Sequence, residues 1–288
     1  MGITGWTIAG ADPEGWLSRA EEVIHFNPNG NAPRLDSIPQ GDLRVGVDLG
    51  TAYTVLVVLD EAGNPLAGEC QFAQVVRDGL VVDYWGAVNL LRLLKQRVEE
   101  RLGRTLSRAA SAYPPGVPRT EVRATANVVE AAGMHCTILV NEPVAANAVL
   151  GIRDGVIVDI GGGTTGVAVI ENGEVVYTAD EATGGTHFTL VIAGATGLSF
   201  EQAEKLKTTA SEQAQLFPMV RPVMEKVGTI IDRHLHGSKP GLITLVGGTA
   251  LFPGIAGVIE EVTGIRTLVP PKPMFITPLG IALADSSG

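Results

Sequence analysis

Two segments of this sequence repeat one plan. Residues 45–65 read VGVDLGTAYTVLVVLDEAGNP, and residues 156–176 read VIVDIGGGTTGVAVIENGEVV. Each segment has an apolar run, an aspartate, an apolar residue, glycine and threonine, and then a second apolar run that leads to an acidic turn with Gly and Asn. Apolar runs joined by such tight turns predict β-hairpins. Because the two copies lie 111 positions apart, from Asp48 to Asp159, we expect two similar lobes.

The turns of both hairpins contain residue types that suit phosphate binding. Glycine allows positive φ and lets the backbone approach a ligand closely, and successive backbone N–H groups in such a turn can converge on an anion. Threonine adds a hydroxyl donor, and an aspartate carboxylate is a suitable ligand for a hydrated cation. We therefore predict that residues 48–51 and 159–164 bind the phosphates of one nucleotide from two sides. The alternative, two ordinary β-hairpins that resemble each other by chance, is disfavoured by the repeat.

Strands alternate with helices along the rest of the chain, which is typical of an α/β fold. The patterns predict helices at 87–102, 120–132, 144–150, between about 199 and 235, after Pro253, and from Pro278 onward. They predict strands at 109–113, 137–140, 242–246 and 266–269, and a strand pair around Asp78-Gly79. A third glycine-rich turn, at 247–254, follows a strand and offers bare backbone to a base or ribose.

Residues 1–42 form an N-terminal extension and linker with a separate pattern. Asp12, Pro13 and Glu14 are a helix-start signature, and apolar residues at helical spacing follow on one face. These residues are Trp16, Leu17, Ala20, Val23 and Ile24. The segment 27–30, NPNG, is expected to end the helix. The helix either packs on the body of its own chain, which we favour, or docks on a partner protein.

The composition is that of a globular chain, and it limits the classes of partner. Of the 288 residues, 45% are apolar and 18% are charged, and the net charge is −10. Nucleic acids and anionic membranes need clustered Lys and Arg, so neither is an expected partner. No apolar stretch approaches the roughly 20 residues that span a bilayer, and no secretory signal pattern is expected at the start. Cys70 and Cys136 lie far apart and are expected to be reduced thiols of a cytoplasmic protein.

Five motifs, in this order, resemble those of the actin, Hsp70 and sugar-kinase ATPase superfamily. They are DLGT at 48–51, NEPVAANA at 141–148, DIGGGT at 159–164, VGGTALFPG at 246–254 and TPLGIA at 277–282. The resemblance implies an α/β, two-lobed actin-like ATPase with ribonuclease-H-like lobes, a nucleotide cleft and reduced peripheral subdomains. Lobe I would be 43–153, with the C-terminal helix 277–288 packed back on it, and lobe II would be 154–276.

The resemblance also implies roles for individual residues. The implied ligand is ATP or ADP with Mg²⁺, and the catalytic candidates are Glu142, which would orient the attacking water, and Asp48 and Asp159, which would hold the hydrated cation. The residues that would bind the nucleotide are Gly50, Thr51, Gly161, Gly162, Gly163, Thr164, Gly184, Gly185, Glu204, Lys207, Gly247, Gly248 and Thr249. Simpler explanations are a solvated charged helix face for Glu204 and Lys207, and a carboxylate that complements a helix dipole for Glu142.

At full length the sequence resembles the ethanolamine-utilisation EutJ family, which shares a short N-terminal extension, a DLGT-like start and a small body. That family is associated with ethanolamine catabolism in bacterial microcompartments and is called chaperone-like. The resemblance implies an ATP-dependent chaperone, or a reactivating and assembly factor, with a protein client in that system. The implied location is the cytoplasm, with or without association with a microcompartment.

Several departures from the Hsp70 pattern argue against a peptide-clamping cycle. The stretches 52–141 and 165–246 are short at positions where Hsp70 carries large peripheral subdomains, and no substrate-binding domain is expected after the ATPase region. The Hsp70 catalytic lysine has no clear match, and Arg77 and Lys95 are the candidate substitutes. The segment 184–188, GGTHF, replaces the usual Gly-Gly-acid motif, so hydrolysis is expected to be slow or absent.

Two other function classes stay open. A filament-forming or scaffold protein of the actin class, of the cell-shape, division or pilus type, would share the fold and the ligand. A small-molecule kinase would need a carboxylate that deprotonates the acceptor hydroxyl and a walled substrate pocket. The stretches 52–141 and 165–246 are short for the peripheral subdomains that would form such a pocket. His234 and His236 could form half of a metal site, but no Cys or carboxylate cluster accompanies them in the sequence. Ser111 lacks the Gly-x-Ser-x-Gly context of an esterase nucleophile.

Overall fold

The computed structural model describes residues 13–26, 35, 37–77, 79–235 and 237–285. Its helices are α1 Pro13–Val23, α2 Tyr84–Leu102, α3 Arg119–Ala131, α4 Glu142–Leu150, α5 Gly185–Thr196, α6 Phe200–Lys207, α7 Gln213–His234, α8 Ile255–Thr263 and α9 Pro273–Ala284, and a 3-10 turn spans Gly248–Leu251. Its strands are β1 Ile24–His25, β2 Arg44–Leu49, β3 Tyr53–Leu59, β4 Pro65–Phe72, β5 Val76–Arg77, β6 Leu80–Val81, β7 Arg108–Tyr113, β8 His135–Asn141, β9 Gly155–Ile160, β10 Thr165–Glu171, β11 Glu174–Glu181, β12 Ile243–Val246 and β13 Thr267–Leu268. In the part of the chain so described, no helix combines the length and apolarity needed to cross a membrane.

The described residues form two compact units, each with its own hydrophobic core. Unit 1 contains the chain up to Ile152 together with the segment from Phe275 onward, and unit 2 is Arg153–Met274. The core of unit 1 lies between β2, β3 and α2, and that of unit 2 lies between β9, β10 and α7. Helix α9 begins in unit 2 and has most of its length in unit 1.

The two units contain the same five-stranded sheet. Unit 1 has the strand order β1-β4-β3-β2-β7-β8, and unit 2 has the order β11-β10-β9-β12-β13. In unit 1, β2 pairs antiparallel with β3 and parallel with β7. In unit 2, β9 pairs antiparallel with β10 and parallel with β12. Apart from the added strand β1, order and direction agree strand by strand, as the repeated sequence plan predicts.

The repeat includes an irregularity of the sheets. The pairing of β3 with β4 shifts register between Val58 and Leu59. The pairing of β10 with β11 shifts between Val169 and Ile170, which again lie 111 positions later. A β-bulge inserts a residue into one strand and increases the local twist. The two sheets therefore share both their regular pairing and the position of this irregularity.

The N-terminal extension is part of unit 1. Helix α1 packs on β4, and β1 pairs parallel with β4 through Ile24 opposite Gly68 and His25 opposite Glu69. The Arg101 guanidinium of α2 donates Nη2 to the carbonyl of Val23 at 2.9 Å, at the C-terminal end of α1. The described residues of the extension thus pack on the body of their own chain, which is the alternative that the sequence favours. Ile24 belongs to a strand and not to the helical face that the spacing predicts.

Helix α5 is the element that the sequence patterns miss. Its sequence, GTHFTLVIAGAT, has glycine at two positions and three β-branched Thr residues, and it has no charged residue. These residue types have weak helix propensity, and the pattern therefore gives no helical signal. Phe188 and Ile192 are fully buried on its inner face. Burial in the core of unit 2 decides the helical state here, against the local preference.

Several predicted helix starts differ from the structure, in which α2 begins at Tyr84 and not at 87, and α4 begins at Glu142 and not at 144. Helix α9 begins at Pro273 and contains Pro278, because the apolar residues Phe275 and Ile276 before that proline are buried and continue the helix. Helix α3 begins at Arg119 after Pro118, one residue before the predicted start at 120. The predicted Asp12 cap, the 27–30 stop, Asp78 and His236 lie outside the described residues.

Helix α9 is held against the sheet of unit 1 by close backbone packing and one buried carboxylate. A Cβ on Gly46 of β2 would lie 2.6 Å from the backbone nitrogen of Ala282. The Asp285 side chain, which is fully buried, accepts hydrogen bonds from the Val45 N–H at 2.9 Å and the Thr137 hydroxyl at 2.7 Å. These contacts join the end of the C-terminal segment to β2 and β8.

Candidate functional site

The two glycine-rich turns have the same closure. In the first hairpin the Gly50 N–H donates to the carbonyl of Tyr53 at 3.0 Å, and in the second the Gly161 N–H donates to the carbonyl of Thr164 at 3.0 Å. Each donor stands two residues after the aspartate of its hairpin. By this hydrogen bond, Thr164 in the second hairpin occupies the position that Tyr53 occupies in the first. The sequence motifs instead suggest that Thr164 corresponds to Thr51.

In unit 1, the candidate carboxylates lie at one edge of the sheet. Strands β2, β7 and β8 are parallel, and Val47, Ser111 and Leu139 stand in one row across them. Asp48 follows Val47, and Glu142 follows the last residue of β8 as the first residue of α4. Since the carboxyl ends of parallel strands meet at one edge, Asp48 and Glu142 share that edge, with β7 between them. The Ser111 hydroxyl donates to the Val47 carbonyl at 2.7 Å, which makes it part of the sheet.

Asn141 is a further polar residue at this edge, and the sequence reasoning assigns it no role. Its side-chain oxygen Oδ1 is buried and has no hydrogen-bond partner within the described part of the chain. Asn141 occupies the N-cap position of α4 without forming a side-chain cap. A buried acceptor without a partner is costly in a folded protein, so this atom is available to a donor that comes from a ligand or its hydration shell. The signal was the Asn that begins the Asn-Glu-Pro motif.

In unit 2, the third glycine-rich turn lies directly beside Asp159. Asp159 stands opposite Val246 on the parallel strand β12, and Gly247 follows. Gly247 has φ +88°, and a Cβ there would collide with the Asp159 carboxylate and the Ile160 carbonyl. At Gly248 the corresponding space is open. Glycine at 247 therefore permits packing against the hairpin, and glycine at 248 leaves room above the backbone.

The Gly184-Gly185 turn packs on the second hairpin from another side. The Gly185 N–H donates to the Gly161 carbonyl at 3.0 Å, and the Thr186 N–H donates to the Gly162 carbonyl at 2.7 Å. A Cβ on Gly184 would lie 2.7 Å from the first of these carbonyl oxygens and 2.9 Å from the second. Two carbonyls of the hairpin are thus oriented toward the start of α5.

Thr249 adds a third contact to the same hairpin. Its hydroxyl donates to the Gly161 carbonyl at 2.7 Å. The Gly161 carbonyl therefore accepts from a backbone N–H and a hydroxyl at once. Of the predicted site residues, the structure brings together Asp159, the hairpin glycines, the Gly184-Gly185 turn and the 247–249 turn.

Glu204 and Lys207 belong to this cluster and do not form a solvated face. Their side chains are 13% and 14% exposed, and they form an ion pair of 2.7 Å. The Lys207 ammonium also donates to the Gly185 carbonyl at 3.1 Å and to the Thr189 hydroxyl at 3.1 Å. Burial lowers the pKa of Lys207, and the Glu204 carboxylate opposes that shift. The pair therefore holds the start of α5 from the side of α6.

His234 forms a separate cluster in unit 2. Its Nδ1 lies 2.9 Å from the Tyr177 hydroxyl and its Nε2 lies 2.7 Å from Glu181 Oε1, and Arg233 donates to the same carboxylate oxygen at 2.8 Å. These contacts join the end of α7 to β11. Across the residues that the structure describes, no three His, Cys, Asp or Glu side chains converge as a metal site.

Each unit by itself contains residues of a type that suits a hydrated magnesium ion or a nucleotide. Mg²⁺ keeps several of its waters and uses one or two carboxylates together with phosphate oxygens, so it does not need a cage of protein ligands. Asp48 and Asp159, each at the carboxyl end of a central strand, are ligands of that type. The Asn141 oxygen, which has no partner among the described residues, can accept from a metal-bound water. The space at Gly248, into which no described residue extends, can accept a flat ring.

Family models for actin-like proteins match two overlapping parts of the chain. The model of the MreB/Mbl protein matches residues 66–196. The model of the cell division protein FtsA matches residues 156–280. The first match lies on both units, and the second begins at β9 and continues into α9.

Similar proteins cover nearly the whole chain. Ethanolamine utilization protein EutJ of Escherichia coli (strain K12) is 40% identical over 244 residues, which are 84% of this chain and 86% of the relative. The crystal structure of EutJ from Carboxydothermus hydrogenoformans has a TM-score of 0.84 and 43% identity and covers 94% of this chain and 97% of its own.

A more distant structure shows the fold. MreB 5 of Spiroplasma citri, at 18% identity, has a TM-score of 0.68 and covers 85% of this chain and 96% of its own. These likenesses confirm the predicted α/β actin-like ATPase fold and the predicted family. With the repeated hairpins and sheets, they show that the chain belongs to the EutJ family of ethanolamine utilization proteins.

Proposed function

We propose that this protein binds ATP or ADP with Mg²⁺ and uses the nucleotide to act on a protein client in ethanolamine utilisation, as a chaperone or a reactivating and assembly factor. The observation that carries the nucleotide part is the second hairpin, whose Gly161 and Gly162 carbonyls are bound by Gly185, Thr186 and Thr249. These hydrogen bonds hold the turn through contacts within unit 2. A fixed turn suits anion binding because its N–H groups need no reorganisation.

The proposed roles follow the resemblance to the actin-like ATPases. Asp48 and Asp159 hold the hydrated cation, and the turns that follow them bind phosphate oxygens. The residues of those turns are Gly50, Thr51, Gly161, Gly162, Gly163 and Thr164. The nucleoside lies against Gly247 and Gly248, with Glu204 nearby. The structure of MreB 5 of Spiroplasma citri, which shares the fold, is of a protein bound to AMPPNP, and this supports the choice of ligand.

The proposed hydrolysis is weak and depends on positioning. Phosphoryl transfer needs in-line placement of the nucleophile and neutralisation of charge, with no covalent intermediate on the protein. Glu142, half-buried at the start of α4, orients the attacking water. At the segment 184–188, where a carboxylate is usual, this chain has Thr186 and His187. His187 Nδ1 accepts from the Gly184 N–H at 3.2 Å and so caps α5. We therefore expect slow turnover or none.

The proposed client is a protein of the ethanolamine-utilisation system. The relatives with 40% and 43% identity are ethanolamine utilization proteins, and the acidic chain, with a net charge of −10, is unsuited to nucleic acid. The proposed location is the cytoplasm, with association with a microcompartment where the client resides. Pull-down of ethanolamine ammonia-lyase or of shell proteins in the presence of Mg-ATP would support this assignment, and equal recovery without nucleotide would contradict a nucleotide-driven role.

A filament-forming or scaffold protein is the second candidate. The matches to the MreB/Mbl and FtsA models favour it. Sedimentation at high speed with Mg-ATP and with Mg-ADP separates the candidates. ATP-dependent pelleting supports a filament, and a protein that stays in the supernatant under both conditions supports the client-binding role.

Isothermal titration calorimetry with Mg-ATP and Mg-ADP tests the nucleotide proposal. We expect saturable binding by the wild-type chain and weaker magnesium-dependent binding by Asp159→Asn. Asp60→Asn, in the exposed turn after β3, is the matched control and should bind as the wild type does, because Asp60 bonds with Asn64 away from the glycine-rich turns. No heat and no thermal shift at millimolar nucleotide would overturn the proposal.

A further inference from the structure

We propose that Thr189 is a positioning residue for nucleotide binding, through its bonds to Glu204 and Lys207. The inference rests on the nucleotide site proposed above and adds a residue to which no sequence motif points. Thr189 lies in α5, and its side chain is fully buried. It is therefore a residue that acts on the site through its neighbours.

The Thr189 hydroxyl is at the centre of a small buried network. It donates to Glu204 Oε2 in a short hydrogen bond and accepts from the Lys207 ammonium at 3.1 Å. It also lies 3.1 Å from the Gly185 carbonyl, one helical turn earlier. A hydroxyl has one proton and two lone pairs, so the short bond to Glu204 and the bond from Lys207 define its orientation.

Lys207 uses its ammonium protons inside the protein. An ammonium has three donors, and Lys207 has three acceptors, which are Gly185 O, Thr189 Oγ1 and Glu204 Oε2. Valine at 189 would remove one acceptor from a buried cation and one donor from a buried carboxylate. Because such groups are costly to leave unsatisfied, we expect the Lys207 ammonium to shift away from the Gly185 carbonyl.

Gly185 transmits such a shift to the phosphate-binding turn. Its carbonyl is held by Lys207, and its N–H donates to the Gly161 carbonyl at 3.0 Å. The neighbouring Thr186 N–H donates to the Gly162 carbonyl at 2.7 Å. When the Gly185 carbonyl loses its bond to Lys207, we expect Gly185 to shift. Because Gly185 is bonded to Gly161, this shift moves the hairpin whose N–H groups are proposed to bind phosphate. The role of Thr189 is to keep these groups in the binding geometry.

Lys207 also has a different role from the one that the family motif implies. The resemblance to the ATPase superfamily implies that Lys207 binds the nucleotide directly. Because its three donors are bonded inside the protein, Lys207 instead joins α6 to the Gly184-Gly185 turn through hydrogen bonds. Thr189 and Lys207 then act through the same hydrogen bonds, so the effects of their substitutions on nucleotide affinity should not be additive.

The test compares Mg-ADP affinity and thermal stability in four chains. Thr189→Val removes the hydroxyl at nearly constant shape, and Thr189→Ser keeps it. Thr244→Val is the matched control, since Thr244 is a buried threonine of unit 2 whose hydroxyl has no partner among the described residues. Relative to the wild type, we expect Kd to rise about tenfold in Thr189→Val, less than about threefold in Thr189→Ser, and less than about twofold in the control.

A double-variant cycle separates positioning from a general loss of stability. Lys207→Met should weaken Mg-ADP binding as Thr189→Val does, and the double variant should bind no more weakly than the weaker-binding single variant. Fully additive losses would overturn the proposal. Should Thr189→Val melt below the assay temperature, Thr189→Cys replaces it, because a thiol is a weak donor of similar size. Binding by Thr189→Cys as tight as that by Thr189→Ser would also overturn the proposal.

The outcomes distinguish this inference from the proposed function. Absence of both Mg-ATP and Mg-ADP binding by the wild-type chain overturns the proposed function, and the role of Thr189 with it. Binding by the wild-type chain that Thr189→Val retains overturns the role of Thr189 and leaves the proposed function in place. A tenfold loss in Thr189→Val with rescue in Thr189→Ser supports both.

Discussion

Thr54 and Thr165 occupy equivalent positions in the two hairpins but differ in hydrogen bonding. Thr54 stands opposite Leu49, and Thr165 stands opposite Ile160. Both threonines are fully buried. The Thr165 hydroxyl donates to the Thr183 carbonyl at 2.6 Å, whereas the Thr54 hydroxyl is buried with no partner in the part of the chain that the structure describes. The repeat thus contains one satisfied and one unsatisfied hydroxyl at the same place.

The first prediction uses this pair. Thr54→Val replaces an unsatisfied buried hydroxyl by a methyl group, so we expect the free energy of unfolding to stay constant or rise by up to about 1 kcal/mol. Thr165→Val leaves the Thr183 carbonyl without its donor and should lower it by about 1–3 kcal/mol. Urea unfolding monitored by circular dichroism measures both. Equal effects of the two substitutions would show that hydrogen bonding does not distinguish the sites.

The second prediction concerns two adjacent glycines. Gly247 has φ +88°, and Gly247→Ala places a Cβ against the Asp159 carboxylate. We expect this variant to lower the free energy of unfolding by at least about 1–2 kcal/mol, and the melting temperature with it. Gly248→Ala meets no atom of the described chain, so stability should be kept while Mg-ATP affinity falls, since the methyl group fills the space proposed for the nucleoside. Thermal melts and calorimetry separate the two effects. Unchanged affinity in Gly248→Ala would exclude the ligand from that space.

The third prediction concerns Asp285. Asp285→Ala removes the acceptor of the Val45 N–H and the Thr137 hydroxyl, both part of a buried contact, and should lower the free energy of unfolding by about 2–4 kcal/mol. Asp285→Asn keeps one acceptor oxygen and should cost less. Chemical unfolding of both variants measures the difference. A loss below about 0.5 kcal/mol for Asp285→Ala would show that α9 is held to the sheet by packing alone.

The fourth prediction concerns the buried pair of Arg101 and Glu69. Burial raises the pKa of Glu69, and Arg101 opposes the shift. Arg101→Met leaves the Glu69 carboxylate buried without this partner, so we expect the free energy of unfolding at pH 7 to fall by about 3–5 kcal/mol. A raised folded pKa means that the folded chain binds the proton more tightly than the unfolded chain, so stability falls as the pH rises from the ordinary value of 4.5 through the raised pKa.

The loss in Arg101→Met should therefore be smaller at pH 5 than at pH 7. Urea unfolding at the two pH values measures it. Arg19→Met is the matched control, because Arg19 pairs with Glu22 on the exposed surface at 3.2 Å, and it should change stability by less than about 0.5 kcal/mol at either pH. A loss in Arg101→Met that does not depend on pH would assign its effect to the hydrogen bonds with Val23 and Gly68.

The fifth prediction concerns turnover. Glu142→Gln keeps the size of the side chain and removes its charge, so Mg-ATP affinity should stay within a few-fold while ATP hydrolysis falls by roughly 10- to 1,000-fold. Phosphate release under steady-state conditions measures the rate, and Asp159→Asn, which should weaken binding itself, serves as the contrast. Measurable wild-type turnover that Glu142→Gln retains would exclude the water-positioning role and favour Asp48 or Asp159.

The repeated fold was predictable because its signal is local. The apolar runs around Asp48 and Asp159 specify hairpins by alternation and turn chemistry, and the motif order specifies the family. Helix α5 was not predictable, because its uncharged, β-branched sequence becomes helical through burial of Phe188 and Ile192 in unit 2. The start of α9 was misplaced for a similar reason, since buried Phe275 continues the helix through Pro278.

The candidate site was predictable in its residue types and not in its hydrogen bonds. The resemblance names Glu204 and Lys207 as nucleotide-binding residues, and it gives no indication that the Lys207 ammonium bonds to Gly185 and Glu204 inside the protein. Thr189 has no signal in the sequence, because its role depends on the packing of α5. Asn141 is marked only as the first residue of the Asn-Glu-Pro motif, and the lack of a partner for its oxygen among the described residues becomes evident only in the structure. The equivalence of residues in the two hairpins likewise becomes evident only from the structure of the turns, in which Thr164 corresponds to Tyr53 and not to Thr51.

The pairing of β1 with β4 has a consequence for how copies of this chain behave in a concentrated solution. An outer strand with vacant hydrogen-bonding groups is a template on which another molecule can extend the sheet, and this is a common route to insoluble aggregates. Ile24 and His25 cover β4 at Gly68 and Glu69, and Arg101 fastens that cover through the Val23 carbonyl. The extension thereby shields part of the edge of β4, and removal of residues 13–26 would expose the backbone hydrogen-bonding groups of β4 around Gly68 and Glu69 to pairing with another molecule.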